Sequence, residues 1–349
     1  IKLIMAYTTI PKSTDYFNTT LYVGNGSSKT ITGIPFAPYF VWIKARSAAE
    51  NHVIVDKVRG ANNYLMPNTT ATNDTNSEFL KSFTSDGYTL GLGDRVNKSS
   101  TNLVSWNWKA NGAGSSNTDG SINTTKTSAN TTSGCSIITY TGNATAGATI
   151  GHGMGIKPSM IIIKELAGGN DWIVYTQALT ANKILYLNST AGENDNNVFF
   201  NDTEPTTSLI TLGSIGATNG SGVAMIAYCF SNVKGFSKQG SYLGNGSTDG
   251  TFVYTGFKPA WIMIKKSSAA GTNWFIFDDK RVGYNPDNDY VSPNTNGAEG
   301  STVYLDILSN GFKLKANESD VNTNGATYIY MAFAAEPLVS TNGIPSTAR

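Results

Sequence analysis

The feature that most constrains this chain is internal repetition: four sequence blocks recur three times in the same order. Each copy opens with strand-like text running into a Gly-Asn turn: Tyr22-Val23-Gly24-Asn25, Tyr140-Thr141-Gly142-Asn143 and Tyr242-Leu243-Gly244-Asn245. A proline, an apolar run and a lysine follow, from Pro38 to Lys44, Pro158 to Lys164 and Pro259 to Lys265. The third block pairs Asn51-His52 with Asp171-Trp172 and Asn273-Trp274, each ahead of another apolar stretch. The copies close on aromatic strands ending at Trp108, Phe230 and Phe333, 64, 66 and 68 residues after the lysines (Lys44–Trp108, Lys164–Phe230, Lys265–Phe333). Near-constant spacing of four ordered blocks defines a unit of roughly a hundred residues, the size of a two-sheet sandwich and about twice the longest usual propeller blade.

The Pro-initiated runs lack polar alternation, which predicts strands covered on both faces. Thirty-six glycines, with abundant Thr, Ser and Asn, suit turns and strands rather than helices. The expected fold class is all-β, with three tandem β-sandwich units, jelly-roll-like or lectin-like. The expected boundaries are an N-terminal arm at 1–18, units at 19–112, 135–235 and 236–338, a Gly/Ser/Thr/Asn-rich linker at 113–134, and a tail at 339–349. Units two and three meet without a linker near Gly235 and are expected to pack as a fixed pair. Ile1-Lys2-Leu3-Ile4 precedes Met5, which leaves Ile1 and Met5 as alternative starts.

Lysine plus arginine number 25 against 24 aspartate plus glutamate, and no basic run occurs, so neither nucleic acid nor an anionic membrane is an expected partner. No apolar run reaches membrane-span length, and no secretory signal pattern opens the chain. Cys135 and Cys229 read as small buried apolar residues, with a pairing between them as the alternative. Thirteen Asn-x-Ser/Thr triplets, including Asn25, Asn68 and Asn245, read as turn chemistry rather than glycosylation.

Catalytic constellations are sparse. His52 stands where the other copies have Trp172 and Trp274, which makes it a strand position rather than a base. His152 lies in Gly151-His152-Gly153, read as the turn before the Pro158 strand. Asp278 and Asp279 are adjacent, so on a strand they point to opposite faces and cannot flank one glycosidic bond. Asp56 and Asp278 occupy equivalent places, a mark of scaffold. The acidic loops at 194–197 and 287–289 are weak calcium candidates, and neither fits an EF-hand. The long loops at 188–197 and 284–300, with the 112–134 stretch, are the expected binding regions. Tyr284, Asp287, Asp289 and Tyr290 are the candidate ligand-binding residues.

The text at Val41-Trp42-Ile43-Lys44, Trp106-Asn107-Trp108-Lys109, Asn117-Thr118-Asp119-Gly120 and Gly235-Phe236-Ser237-Lys238 resembles a family of uncharacterised proteins widespread in phages of marine bacteria, described as tail-fibre-like or lectin-like. The resemblance runs from Met5 to Ser346-Thr347-Ala348-Arg349 and implies a virion structural protein without catalytic residues. It points to a virion surface location after assembly in the host cytoplasm, either as a tail-fibre-like component binding a host glycan or as a capsid decoration or head-fibre protein. A glycan-degrading enzyme and a cellular adhesin are the remaining alternatives. Other virion proteins are the expected partners, with a homo-oligomer, a trimer by analogy with viral β-sandwiches.

Overall fold

The computed structural model describes residues 8–281, 285 and 289–335. Of the sequence candidates, Tyr284 and Asp287 lie outside the described residues, as do residues 1–7 of the arm and the whole 339–349 tail. The protein is all-β, built from antiparallel sheets packed face to face.

The first repeat carries β1 (Phe17–Val23), β2 (Lys29–Ile31), β3 (Phe40–Ala45), β4 (Val53–Asp56), β5 (Asn63–Tyr64) and β6 (Asp74–Thr75). It continues with β7 (Leu80–Phe83), β8 (Tyr88–Leu90), the helical turn α1 (Asp94–Asn97) and β9 (Asn102–Trp108). The second carries β10 (Lys126–Asn130), β11 (Cys135–Thr141), β12 (Thr149–Gly151), β13 (Met160–Glu165) and β14 (Ile173–Thr176). Then come β15 (Lys183–Tyr186), β16 (Asn194–Asp195), β17 (Leu209–Thr211), α2 (Gly216–Asn219) and β18 (Ala224–Phe230). The third has β19 (Ser237–Leu243), β20 (Phe252–Tyr254), β21 (Pro259–Lys266), β22 (Phe275–Asp278), β23 (Leu305–Leu308), β24 (Gly311–Leu314) and β25 (Thr327–Ala334).

One strand order recurs: β1-β9-β3-β4, β11-β18-β13-β14 and β19-β25-β21-β22. Register recurs with it, since Lys44, Lys164 and Lys265 lie opposite Val104, Ile226 and Ile329. A smaller sheet, β2-β8-β7, β12-β17 or β20-β24-β23, covers the outer face of each large one.

The continuous apolar runs follow from this layering. In β3, Val41 and Ile43 face a core shared with the small sheet, while Phe40 and Trp42 face the opposite way. In β25, Tyr328, Tyr330 and Ala332 face the outer core, while Ile329, Met331 and Phe333 face inward. The three inward faces meet in one central core. At its middle Trp108, Phe230 and Phe333 form a triangle of rings with centroids 5.7 to 6.0 Å apart. Such contacts bury large apolar area and add edge-to-face attraction. The same layering separates the cysteines: Cys135 faces the central core and Cys229 the outer core of its own repeat, so they are buried thiols on opposite faces. Burial alone pushes the Cys135 thiol up to about 12, away from reactive thiolate.

Two expectations need correction. The 113–134 stretch is no free linker, because β10 within it pairs along the edge of β11, Ile122 bridges to Ile150, and Thr124 and Ser128 are buried. Its Thr and Ser residues satisfy strand geometry, which composition cannot distinguish from a linker. Nor do the second and third repeats form a separate pair, since the central core draws on all three.

Each Gly-Asn turn is held by a buried asparagine. Asn97 accepts from the Asn25 N–H at 3.0 Å and donates to the Gly91 carbonyl at 2.7 Å. Asn219 accepts from Asn143 N–H and donates to the carbonyls of Thr145 and Gly213. Asn322 accepts from Asn245 N–H and donates to the carbonyls of Ser247 and Ala316. A Cβ at Gly24, Gly142 or Gly244 would sit 2.1 to 2.4 Å from a backbone carbonyl beside that asparagine, so only glycine lets the turn dock.

Candidate functional site

Lys44, Lys164, Lys265, His52, Asp56 and Asp278 converge on the seams between repeats. Lys44 is fully buried, and its ammonium donates to the carbonyls of Glu50 (2.7 Å), Ala48 (3.4 Å) and, from the third repeat, Asn296 (3.1 Å). Lys164 donates to Asn170, Gly168 and the first repeat's Thr70. Lys265 donates to Thr272 and the second repeat's Thr190. Burial pushes each of these amines down to about 8, against the pull of nearby carboxylates: Glu50 for Lys44, Glu165 and Asp171 for Lys164, and Asp320 for Lys265.

His52 and its tryptophan counterparts make the next contact of each seam. The His52 Nδ1 accepts from the Trp42 indole at 2.9 Å, so Nε2 carries the hydrogen and donates to the third repeat's Ser292 carbonyl at 3.1 Å. Trp172 Nε1 donates to the first repeat's Thr69 carbonyl and Trp274 Nε1 to the second repeat's Tyr186 carbonyl. Burial holds the His52 imidazole well below its usual range and therefore neutral. A backbone bond completes each seam: Glu299 N–H to Arg46 O, Asn73 N–H to Leu166 O and Glu193 N–H to Ser267 O. The contacts run from first repeat to third, second to first and third to second, so the three copies close a ring about a pseudo-threefold axis.

The paired aspartates belong to the same ring. Asp56 Oδ2 takes Arg59 Nε at 2.6 Å and, from the second repeat, the Tyr228 hydroxyl at 2.8 Å. Asp278 Oδ2 takes Arg281 Nε at 2.7 Å and, from the first repeat, the Trp106 indole at 2.9 Å. At the third such place the carboxylate position holds Thr176 and the donor position holds Met331, so the charge and its cross-repeat donor are lost together. Each buried ion here keeps a guanidinium and a neutral donor, as burial requires.

The candidate loops divide between seam contacts and contacts within their own repeat. Asp289 is buried beside Arg46 at 3.5 Å, where Arg46 also grips Glu299 through two 2.8 Å bonds. Tyr290 packs between Phe275 and Tyr304, both 5.1 Å away, and bridges to Gly300. In the 194–197 loop, Asp195 takes the Asn182 amide and Asn194 reaches the Tyr186 hydroxyl. Among the described residues no group of three or more His, Cys, Asp or Glu side chains is placed to hold a metal ion. His152 sits in its turn with Nδ1 accepting from Met154 N–H and Nε2 against the Thr206 carbonyl.

Outward-facing features lie elsewhere. Among the described residues, Leu243 (61 % exposed), Phe252 (45 %) and Tyr254 (55 %) stand on the edge strands β19 and β20 of the third repeat. The Lys238 ammonium lies 5.2 Å above the Tyr254 ring and donates to its carbonyl. A cleft of about 400 Å³ opens there, lined by Tyr254, Lys238, Asn232 and Gly256. Sequence reading missed this patch, although Phe252-Val253-Tyr254 stands where the first repeat has Thr30-Ile31-Thr32, with buried Val253 matching buried Ile31, and so differs between copies.

Fold and seams define a class: an all-β protein whose antiparallel sheets share one central core. The chain belongs to the DUF7483 family, a domain of unknown function, whose model matches residues 12–337. No curated protein and no solved structure matches it.

Proposed function

We propose that this chain is a non-catalytic surface protein of a bacteriophage particle that binds a host-surface glycan through the outer edge of its third repeat. The observation that carries the reading is the exposed Tyr254 ring in the Lys238 cleft, with the exposed Phe252 two residues away on the same edge strand. Exposed aromatic rings stack on the apolar faces of sugars, and an adjacent ammonium and amide give hydroxyl partners. The seams add support, because the buried lysines, His52 and the paired aspartates each hold a neighbouring repeat and thus make a rigid platform for display. The phage setting comes from the sequence resemblance.

The test is a glycan array probed with purified chain and with Tyr254→Ala. Binding of host polysaccharide that falls about two- to tenfold in the variant supports the reading, since a lost ring stack is worth about 0.5–1.5 kcal/mol. No binding by the wild-type chain overturns it. A second reading, capsid decoration, draws on the pseudo-threefold ring, whose three related faces suit a site where three capsid subunits meet. Antibody labelling over the whole shell favours decoration, and labelling at the tail vertex favours attachment.

A further inference from the structure

We propose that β1 is an interaction edge at which two copies of this chain pair strand to strand, antiparallel, about a two-fold axis. The pairing goes beyond the surface-binding reading and does not depend on it.

The three repeats treat one edge in three ways. Beside β9, the Tyr16 carbonyl accepts from Lys109 N–H and Gly24 N–H donates to the Thr101 carbonyl. The even-numbered residues of β1 therefore face β9, and the odd-numbered ones turn their N–H and C=O groups outward. The equivalent outward residues of the second repeat, Cys135, Ile137 and Thr139, are paired with β10. In the third repeat side chains cover the edge. Asn232 Oδ1 accepts from Gln239 N–H, Gln177 Nε2 donates to the Gln239 carbonyl, and the Thr251 hydroxyl donates to the Leu243 carbonyl. β1 has neither device. It is the outermost strand of its sheet, and among the described residues no hydrogen bond reaches the N–H or C=O of Leu21 or Val23. Both residues stand in solvent, 39 % and 52 % exposed.

A row of open backbone groups is a template for another strand, and edges that stay single usually carry a lysine, a proline or a bulge. The strands at the corresponding edge of the other two repeats obey this rule, with Lys126 in β10 and Lys238 in β19. β1 does not: Phe17-Asn18-Thr19-Thr20-Leu21-Tyr22-Val23 has no charge, no proline and an unbroken register with β9.

These features choose a second copy as the occupant. Antiparallel pairing that sets Leu21 opposite Val23 of the second copy, and Val23 opposite its Leu21, brings open groups against open groups. One two-fold operation then satisfies both edges, an isologous contact. An uncharged strand meets its own copy with no like charges opposed. Leu21 and Val23 lie on one face of β1, so pairing joins four exposed apolar side chains into one stripe. The two four-stranded sheets run together as β4-β3-β9-β1-β1-β9-β3-β4.

The experiment is sedimentation velocity on the full chain from about 5 to 500 µM, where a contact this short should give a monomer–dimer Kd on the order of 100 µM. The variant Leu21→Lys with Val23→Lys, and separately Leu21→Glu with Val23→Glu, should weaken association at least about tenfold, since each opposes like charges across the axis. An equal mixture of the two variants should associate more tightly than either alone. Leu243→Lys, at the equivalent of Val23 on the covered edge, should leave association unchanged. Circular dichroism melts confirm that the variants fold. A wild-type chain that stays monomeric, a dimer that survives both double variants, or a mixture no tighter than its components overturns the pairing. Hydrogen exchange gives a second readout: the Leu21 and Val23 amides should exchange freely in dilute chain and slow as concentration rises. Amides already protected in the monomer would mean that the chain covers this edge itself, which also overturns the pairing.

Discussion

At the scale of single residues, the repeat makes each position its own control. Thr19, Ile137 and Gln239, on β1, β11 and β19, are equivalent, lying opposite Trp106, Tyr228 and Met331. Ile137 fills the shared core, whereas Gln239 is 2 % exposed and neither its amide nitrogen nor its oxygen has a partner. An apolar side chain of the same shape removes two desolvated polar atoms without opening a cavity. Gln239→Met should therefore raise stability by about 1–3 kcal/mol. Urea unfolding monitored by tryptophan fluorescence checks it, and an unchanged or lowered midpoint would mean the amide is satisfied in solution. His52 shows the same logic from the other side. Its alignment with two tryptophans correctly made it a packed residue, although it stands just before β4 rather than in a strand, and its ring bond to another repeat was beyond reach of the sequence, because the partner is a backbone carbonyl and carries no residue signature.

At the scale of elements, the sandwich strands were legible because burial on both faces leaves unbroken apolar text, as in β3, β13 and β21. The 113–134 stretch was not, since a β-strand at a sheet edge needs only small polar residues on its open side. The turn clamps were half legible. The Gly-Asn motif announced three turns, yet their anchors Asn97, Asn219 and Asn322 escaped notice. They stand at constant spacing, 11 residues before Trp108, Phe230 and Phe333, and that constancy was the available signal. The clamp also explains why the Asn25, Asn143 and Asn245 triplets mark turns: each backbone N–H is already taken by its anchor. Replacing Asn219 by Ala strips one acceptor and two donors from three backbone groups, of which the Gly213 carbonyl is buried. A loss of about 3 kcal/mol should follow, whereas Asn143→Ala, which removes one exposed turn bond to Thr145, should cost under about 1 kcal/mol. Thermal melts of the two variants separate the roles. Equal losses would assign stability to the turn itself rather than to its anchor.

At the scale of the whole molecule, the three sequence repeats are joined within one chain by contacts at each seam. The sequence showed how many copies there are but not that they close, because closure is carried by carbonyls meeting Lys44, Lys164 and Lys265. Those three lysines also set a pH signature. Their folded-state amines lie at about 8 against 10.5 in the unfolded chain, so between those values the unfolded state binds more protons and stability rises with pH. Above about pH 10 the sign reverses. The buried phenols of Tyr22, Tyr88, Tyr140, Tyr228 and Tyr242 are raised by desolvation, so the folded state keeps protons that the unfolded state releases. The melting temperature should climb from pH 8 toward 10 and then fall. Lys164→Met, which removes one of the three amines, should flatten the climb by roughly a third whatever its effect on the absolute melting temperature. A flat wild-type profile from pH 8 to 10 would mean that the carbonyls around each ammonium repay its desolvation in full. In that case the ring is held by three charged centres rather than by amines ready to lose their protons.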